Sequence, residues 1–360
     1  MPSDTFLPII RVSGSNYDIG FQIGKEFRER IHSALASSTI FKLNKTKDQK
    51  QPEWLERLYN QANEKFPQYI QEIKGIADGS GIDFRDALIH NFRHSLTIIE
   101  GCATVVFTSP QKIIMGHNED YEPTIGENSY ITIAHLDNNT KFLAFTNAGS
   151  LPGNAWGFNS HGLAFALDSL APIPSLNPEI NPDFGFPRLF LDRYVLESKT
   201  LEEATQRTRM YSPRSGIISY TIISMKEFRG INVETTLTDI TVTEINDVFY
   251  HVNHYTSETY KHLSLNAEVG TSQERYNRGM ELLKVIPFTK EGILQMMSDE
   301  ILHFDNRMDD VEGLLTTICT PIFEISTNSI NLQVYPQSLS EKEKMSFSLD
   351  SLMTPPLSQT

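Results

Sequence analysis

Apolar positions in the first hundred residues recur at helical spacing, and after residue 101 they recur at every second position. Between Tyr17 and Leu35, Ile19, Ile23, Phe27 and Ile31 stand four apart and predict one helix. Gly20 and Gly24 beside them mark the close approach of another backbone. A second helical stretch runs from Pro52 to Ile76 with a break at Pro67, and a third from Asp83 to Ser95. Strands are then predicted at Ala103–Thr108, Ile113–Asn118, Tyr130–His135 and Lys141–Thr146. Trp156–Asn159 and Leu163–Leu167 read as a hairpin around Ser160-His161-Gly162. Helices follow at Pro187–Ser198 and Leu201–Tyr211, the second capped by Thr200. Strands return near Ile217–Met225, Gly230–Thr236, Asp239–Glu244 and Val248–Asn253. Helices over 272–286 and 289–299 precede strands over 314–325 and 329–334. This order predicts an α+β fold of antiparallel sheets covered by helices. Pro172 to Pro187 is a long loop of the kind that shapes a cleft.

Charge divides the chain at the same place. Residues 1–101 carry 13 basic and 13 acidic side chains, so the whole net charge of −14 lies after residue 101. That balance excludes the basic stripe of a nucleic-acid ligand and attraction to an anionic membrane surface. No apolar run is long enough to span a bilayer, and the start MPSDTFLPIIRVSG lacks a secretory pattern. The two cysteines, Cys102 and Cys319, exclude a disulfide framework and a Cys-rich zinc site. They fit a reducing compartment, and a cytoplasmic protein is expected.

Cys102 follows Gly101 where the helical segment gives way to the first strand. Glycine permits a following thiol to approach its carbonyl carbon, and hydrolysis of the resulting ester would free the α-amine of Cys102. Such an amine, with a reference pKa of roughly 7.7–8.0, can act as base for its own thiol. On spacing alone a Gly-Cys pair is more often a buried structural thiol. A turn at Ser109–Lys112 returns the chain through GHNEDYE at 116–122, which places Asn118 and Asp120 near Cys102 on one face of the return strand. A solvated acidic turn is the plainer reading of those residues.

Six ordered blocks carry a family resemblance: GSNYDIGFQIGKEF near the start, Gly101-Cys102, GHNEDY at 116–121, FPRLFLDRYVLESKTLEEA at 186–204, VNHYTS at 252–257 and SQERYNRG at 272–279. Together they resemble the acyl-CoA:penicillin acyltransferase family, a branch of the N-terminal nucleophile hydrolases similar to the bile salt and penicillin V hydrolases. The resemblance implies a four-layer αββα sandwich of two antiparallel sheets covered by helices. It implies autoproteolysis between Gly101 and Cys102, with 1–101 as a mostly helical prosegment and 102–360 as the catalytic segment of one domain. The cleaved prosegment would remain as a heterodimer partner. Carried over residue by residue, Cys102 is nucleophile and, through its amine, base. Asp120 lies near that amine, Asn253 helps stabilise the oxyanion, and Arg275 lies close to the nucleophile. His117 is read as lining the pocket, with Asn118 and Asp168 also assigned to substrate binding. Where relatives bring an asparagine near the oxyanion, this chain has Asp168 and Ser169, which would suit a cationic substrate if the carboxylate faces the pocket.

The residues bear on these roles independently. Alternation puts His251, Asn253 and Tyr255 on one face and His254 on the other, so a zinc site of His251, His254 and His262 is set aside. Thr271 to Glu274 reads as a capping box. Arg275 then falls with Gly279, Leu282 and Ile286 on an apolar flank, in a first turn where a cation opposes the helix dipole. It needs a partner, either a structural carboxylate or the reacting centre. The expected protein is a cysteine N-terminal nucleophile hydrolase or acyltransferase. It would act on a small amide or acyl thioester such as acyl-CoA, without metal or organic cofactor. The alternative is an unprocessed or catalytically silent ligand-binding relative.

Overall fold

The computed structural model describes residues 6–92, 101–121, 123–170, 185–212, 214, 216–264, 271–304, 307–309, 313–340 and 342–354. The first segment holds β1 (Ile9–Gly14), α1 (Asn16–Glu26), α2 (Arg28–Ser37), α3 (Thr39–Lys50), α4 (Pro52–Lys65), α5 (Pro67–Ser80) and α6 (Phe84–Asn91). Next come β2 (Gly101–Thr108), β3 (Ile113–Tyr121), α7 (Pro123–Gly126), β4 (Tyr130–Leu136), β5 (Lys141–Thr146), β6 (Trp156–Asn159) and β7 (Leu163–Ser169). Then follow α8 (Arg188–Leu196), α9 (Leu201–Met210), β8 (Ile218–Ser224), β9 (Arg229–Thr235), β10 (Ile240–Ile245) and β11 (Val248–His251). The chain continues through α10 (Ser272–Leu282), α11 (Lys290–Met297), β12 (Arg307–Asp309), β13 (Gly313–Ile325), β14 (Ile330–Pro336) and β15 (Met345–Ser348).

Two sheets form. One runs β1-β4-β5-β6-β7-β8-β9-β10, and the other β11-β2-β3-β13-β14-β15 with β12 on β13. Their faces explain the layers. Ile133, Leu143, Phe145, Trp156 and Phe158 of the first sheet meet Val106, Met115, Phe323 and Leu332 of the second in a shared apolar core. The outer face of the first sheet carries α1, α2, α4 to α6, α8 and α9, and the outer face of the second carries α10 and α11. The result is αββα, with apolar side chains alternating along strands that are covered on both faces.

The glycine pair of α1 is explained by a second pair. Gly20 and Gly24 cross Gly75 and Gly79 of α5, so closely that a Cβ on Gly20 would lie 2.0 Å from the carbonyl oxygen of Glu72. Other sequence expectations need correction. The helix expected over 17–35 breaks at Phe27 into α1 and α2. Residues 9–14 form a strand, and β1 pairs with β4 in parallel, so the first sheet is mixed rather than wholly antiparallel. Residues 93–95 of the third predicted helix and most of the 172–187 loop lie outside the described residues.

The two segments share one core. Ile19, Ile31, Leu58 and Ile73 pack with Tyr130, Phe142, Phe165 and Tyr220. Glu72 of α5 forms a fully buried ion pair with Arg193 of α8 at 3.0 Å. Among the described residues, no helix is long and apolar enough to cross a membrane.

Candidate active site

A four-residue turn at 109–112 sets the register of β2 against β3, and that register fixes which side chains surround Cys102. Gly101 stands opposite Asp120, Cys102 opposite Glu119, Ala103 opposite Asn118 and Thr104 opposite His117. Cross-strand partners share a face. Cys102, Thr104, His117 and Glu119 therefore point between the sheets, while Asp120 and Asn118 point toward α10 and α11. Asn118 and Asp120 share one face of β3, opposite the Cys102 side chain. The Asn118 amide donates to the carbonyls of Met297 and Leu302 at 3.0 and 3.1 Å, and its oxygen accepts from Thr320.

The backbone of Cys102 is held at both ends. Its N–H donates to Asn253 Oδ1 at 3.0 Å, and its carbonyl accepts from Arg275 Nη1 at 2.7 Å. Arg275 Nη2 donates to the same Asn253 Oδ1 at 2.6 Å. Asn253 follows the end of β11, where Ser272 Oγ accepts from its backbone N–H. Its Nδ2 donates to the Ser169 carbonyl at 2.8 Å, using one of two amide hydrogens. The helical wheel placed Arg275 inward, and it is buried with Gly279 and Leu282. Its partners are oxygens of Cys102 and Asn253. The expected direct compensation by Asp120 is not an ion pair among the described residues, although the guanidinium acts on Asp120 through space. The capping box also needs correction. Thr271 makes no side-chain cap; its hydroxyl accepts from Arg275 Nε at 3.3 Å.

Asp120 accepts from Thr317 at 2.6 Å, and its other oxygen has no hydrogen-bond partner among the described residues. Burial raises its pKa, against the opposing influence of Arg275 and Thr317. A Cβ on Gly101 would lie 3.0 Å from Asp120 Cβ, so glycine lets the carboxyl sit against the 101–102 bond.

Asp168, read from the sequence as a substrate-binding residue, is held by partners inside the protein. It is fully buried, Oδ1 accepting from Thr104 at 2.9 Å and Oδ2 standing 3.2 Å from His251 Nδ1 in an ion pair poorly aligned for a hydrogen bond. His251 Nε2 lies 3.0 Å from Glu234 Oε1. Glu234 in turn accepts from the backbone N–H groups of Thr256 and Ser257, tying down the loop that carries Asn253. The Thr104 hydroxyl donates its one hydrogen to Asp168, so His117 Nδ1, at 2.9 Å, must donate to Thr104. His117 Nε2 faces Glu119 Oε2 at 3.1 Å. Burial opposes the charge on His117, yet Glu119 and Asp168 outweigh it and raise the pKa.

The sequence alone does not mark Thr104, Glu119, His251 and Glu234 as residues of this site. Glu119 was within reach: counting outward from the 109–112 turn pairs it with Cys102. Glu234, 17 residues before its partner in sequence, gives no such local signal.

Burial likewise opposes the His251 charge, but Asp168 and Glu234 raise its pKa to about 9. Glu234 is pushed up by burial and pulled down further by His251, Ser257 and Thr256, to about 2. A raised histidine stabilises the fold in full below its unfolded value of about 6.5, and that contribution is lost as pH rises through about 9. The lowered Glu234 contributes in full above its unfolded value and loses its share as pH falls through about 2. The Tm advantage of wild type over His251→Gln should therefore shrink from about pH 7 to about pH 10. An advantage that stays constant over that range would contradict a charged His251.

The chain is similar to several known proteins. A β-alanyl-dopamine/carcinine hydrolase of Drosophila melanogaster is 23% identical over 392 aligned positions, covering 95% of this chain and 96% of the relative. The 40 kDa form of acyl-coenzyme A:6-aminopenicillanic-acid-acyltransferase of Emericella nidulans is 25% identical, covering 81% of each chain. Among solved structures, a variant of conjugated bile acid hydrolase from Clostridium perfringens is 13% identical and covers 68% of this chain and 96% of its own, at a TM-score of 0.41. That superposition is too loose to carry residue roles. The family profile for acyl-coenzyme A:6-aminopenicillanic acid acyl-transferase matches residues 107–338, beginning just after Cys102 and taking in Asp120, Asn253 and Arg275. The chain belongs to that acyl-transferase family.

Proposed function

We propose that the chain is an autoprocessed cysteine amidohydrolase or acyltransferase, with Cys102 as its nucleophile. The observation that carries this reading is the double hold on the Cys102 backbone, its N–H on Asn253 and its carbonyl on Arg275. In self-cleavage, Sγ attacks the Gly101 carbonyl and the peptide nitrogen leaves as the amine of Cys102. Water then hydrolyses the thioester to release residue 101. Gly101 suits this because Asp120 fills the space a side chain would take.

The freed amine would remain beside Asn253 Oδ1, which it shares with the Arg275 guanidinium. A neighbouring cation favours the unprotonated amine, the form able to accept the thiol proton. The thiolate is favoured by the His117 imidazolium on its own face of the sheet. It attacks the substrate carbonyl, and the second amide hydrogen of Asn253 would donate to the developing oxyanion. The leaving amine takes a proton from the α-ammonium, and the acyl group stays on Sγ as a thioester. Water completes hydrolysis; a second amine completes acyl transfer.

The Drosophila relative's name makes β-alanyl amides the first substrates to try. A second reading rests on the Cys102, His117 and Glu119 cluster, whose ligand-type atoms lie within 4.8 Å of one another. In it the chain stays intact and His117 serves as the base. The test is intact mass combined with acyl trapping. Incubated with a β-alanyl amide and quenched in acid, the large fragment should gain one acyl group on Cys102. Cleaved protein that forms no acyl adduct with any short-chain amide would remove the amidase reading. Intact protein that turns amides over would favour His117 as base.

A further inference from the structure

His251, the last residue of β11, has a carboxylate on either side of its ring. Nε2 lies 3.0 Å from Glu234 Oε1 on β9, and Nδ1 lies 3.2 Å from Asp168 Oδ2 on β7. All three side chains are fully buried. They tie two strands of the first sheet to the end of an edge strand of the second. Glu234 does more than face a cation. The same carboxylate accepts from the backbone N–H of Thr256 at 2.7 Å, from the backbone N–H of Ser257 at 3.2 Å and from the hydroxyls of both residues. It therefore grips the chain two residues before Asn253 and again three and four residues after it. Between those grips, side chains serve as partners where a helix or strand would use its own backbone. The N–H groups of Asn253 and Tyr255 donate to the hydroxyls of Ser272 and Ser264, and those of Thr256 and Ser257 go to Glu234. The Tyr255 hydroxyl donates to the carbonyl of Thr235, the residue after Glu234, at 2.8 Å. The Asn253 amide is set in the same way: its Nδ2 donates to the carbonyl of Ser169, the residue after Asp168.

We propose that Glu234 is a positioning residue for the reaction at Cys102, fixing residues 251–257 together with His251 and Asp168 so that the Asn253 amide stays aligned between Cys102 and Ser169. This rests on the reading of Cys102 as nucleophile and Asn253 as oxyanion donor. Glu234 acts through Asn253, so its loss falls on the transition state more than on substrate binding. An oxyanion donor works at about 2.7–3.1 Å from the oxygen, and a misplacement of about 1 Å costs about 10²-fold.

The test uses Glu234→Gln, which keeps the shape and one acceptor oxygen but removes the charge facing His251 and puts an NH₂ group where the other oxygen stood. With a β-alanyl amide, kcat per cleaved molecule should fall at least about tenfold while KM stays within about twofold of wild type. In the Asn253→Ala background the same substitution should lower kcat by less than about twofold, because its route to the reaction is gone. A merely structural Glu234 would lower Tm in both backgrounds and leave kcat unchanged. Ser257→Ala covers the case of a Gln variant that does not fold. It removes one hydroxyl donor, keeps every charge, and should lower kcat by about two- to fivefold, again only while Asn253 is present. A further arm does not depend on turnover. The side-chain amide NMR resonances of Asn253, identified as the pair missing from Asn253→Ala, should shift in folded Glu234→Gln, or in Ser257→Ala where that variant stands in. Wild-type kcat in the folded variant, an equal loss with and without the Asn253 amide, or unmoved Asn253 resonances would overturn the proposal. Failure of wild type to hydrolyse any amide would instead remove the amidase reading, and the resonances would still decide whether Glu234 positions Asn253.

Discussion

Cys102→Ala should abolish amide turnover and leave the chain at its full 40.9 kDa. Wild type should separate under denaturing conditions into fragments of about 11–12 and 29 kDa, by proportion of chain length. Both losses follow from one atom, since Sγ would attack the Gly101 carbonyl in processing and the substrate carbonyl in turnover. The alanine variant should keep its fold. Cys102 lines the inter-sheet space as a small buried side chain, and removing one sulfur leaves the Asn253 and Arg275 contacts to its backbone intact. Under native conditions the small wild-type fragment should stay bound. It supplies β1 to the first sheet, one wall of the largest core and Glu72 to a buried ion pair with Arg193. Loss of the fragment would expose an apolar face and take Glu72 from the buried Arg193, leaving Glu197 as its carboxylate partner. A Cys102→Ala variant that is cleaved at 101–102, or that turns amides over at the wild-type rate, would end the nucleophile assignment.

The elements legible in the sequence were those whose signal is local. The four-residue apolar spacing of α1, the break at Pro67 and the switch to a period of two after residue 101 all follow from one stretch of chain reading its own neighbours. Elements defined by distant partners were harder to read. β1 is only six residues long, has mostly exposed or half-buried side chains, and exists because β4 offers it an edge. Thr271 looked like a cap because cap propensity is local, but its hydroxyl faces Arg275. The same division runs through the candidate site. Arg275 was legible as an inward cation lacking a local partner. Asp168 is legible as a departure, but its orientation is not, because its partners Thr104 and His251 stand 64 and 83 residues away in sequence. Which face Asn118 and Asp120 share relative to the Cys102 side chain follows only from the strand register, since a shift of one residue reverses every side chain.

Arg275→Lys should lower kcat by roughly 10²-fold or more with a smaller change in KM, the pattern expected when transition-state stabilisation is lost. The guanidinium reaches Cys102 O and Asn253 Oδ1 with two different nitrogens while a third faces Thr271. A lysine ammonium keeps the charge but is a single point on a flexible stem, and it cannot reproduce that planar fork. One of the two buried oxygens would lose a donor, and the Asn253 amide would be held only by the Cys102 N–H and the Ser169 carbonyl. Asn253→Ala should cost about 10²–10³ in kcat for the same reason, as for loss of one oxyanion donor. Because both residues act through Asn253 Oδ1, their effects should not add: the double variant should be little slower than the worse single one. A purely structural pair would behave differently, with lower Tm and unchanged specific activity. Melting temperature, extent of self-cleavage and kcat measured on the same preparations separate the two cases. A folded, cleaved Arg275→Lys with wild-type kcat would take the arginine out of the reaction.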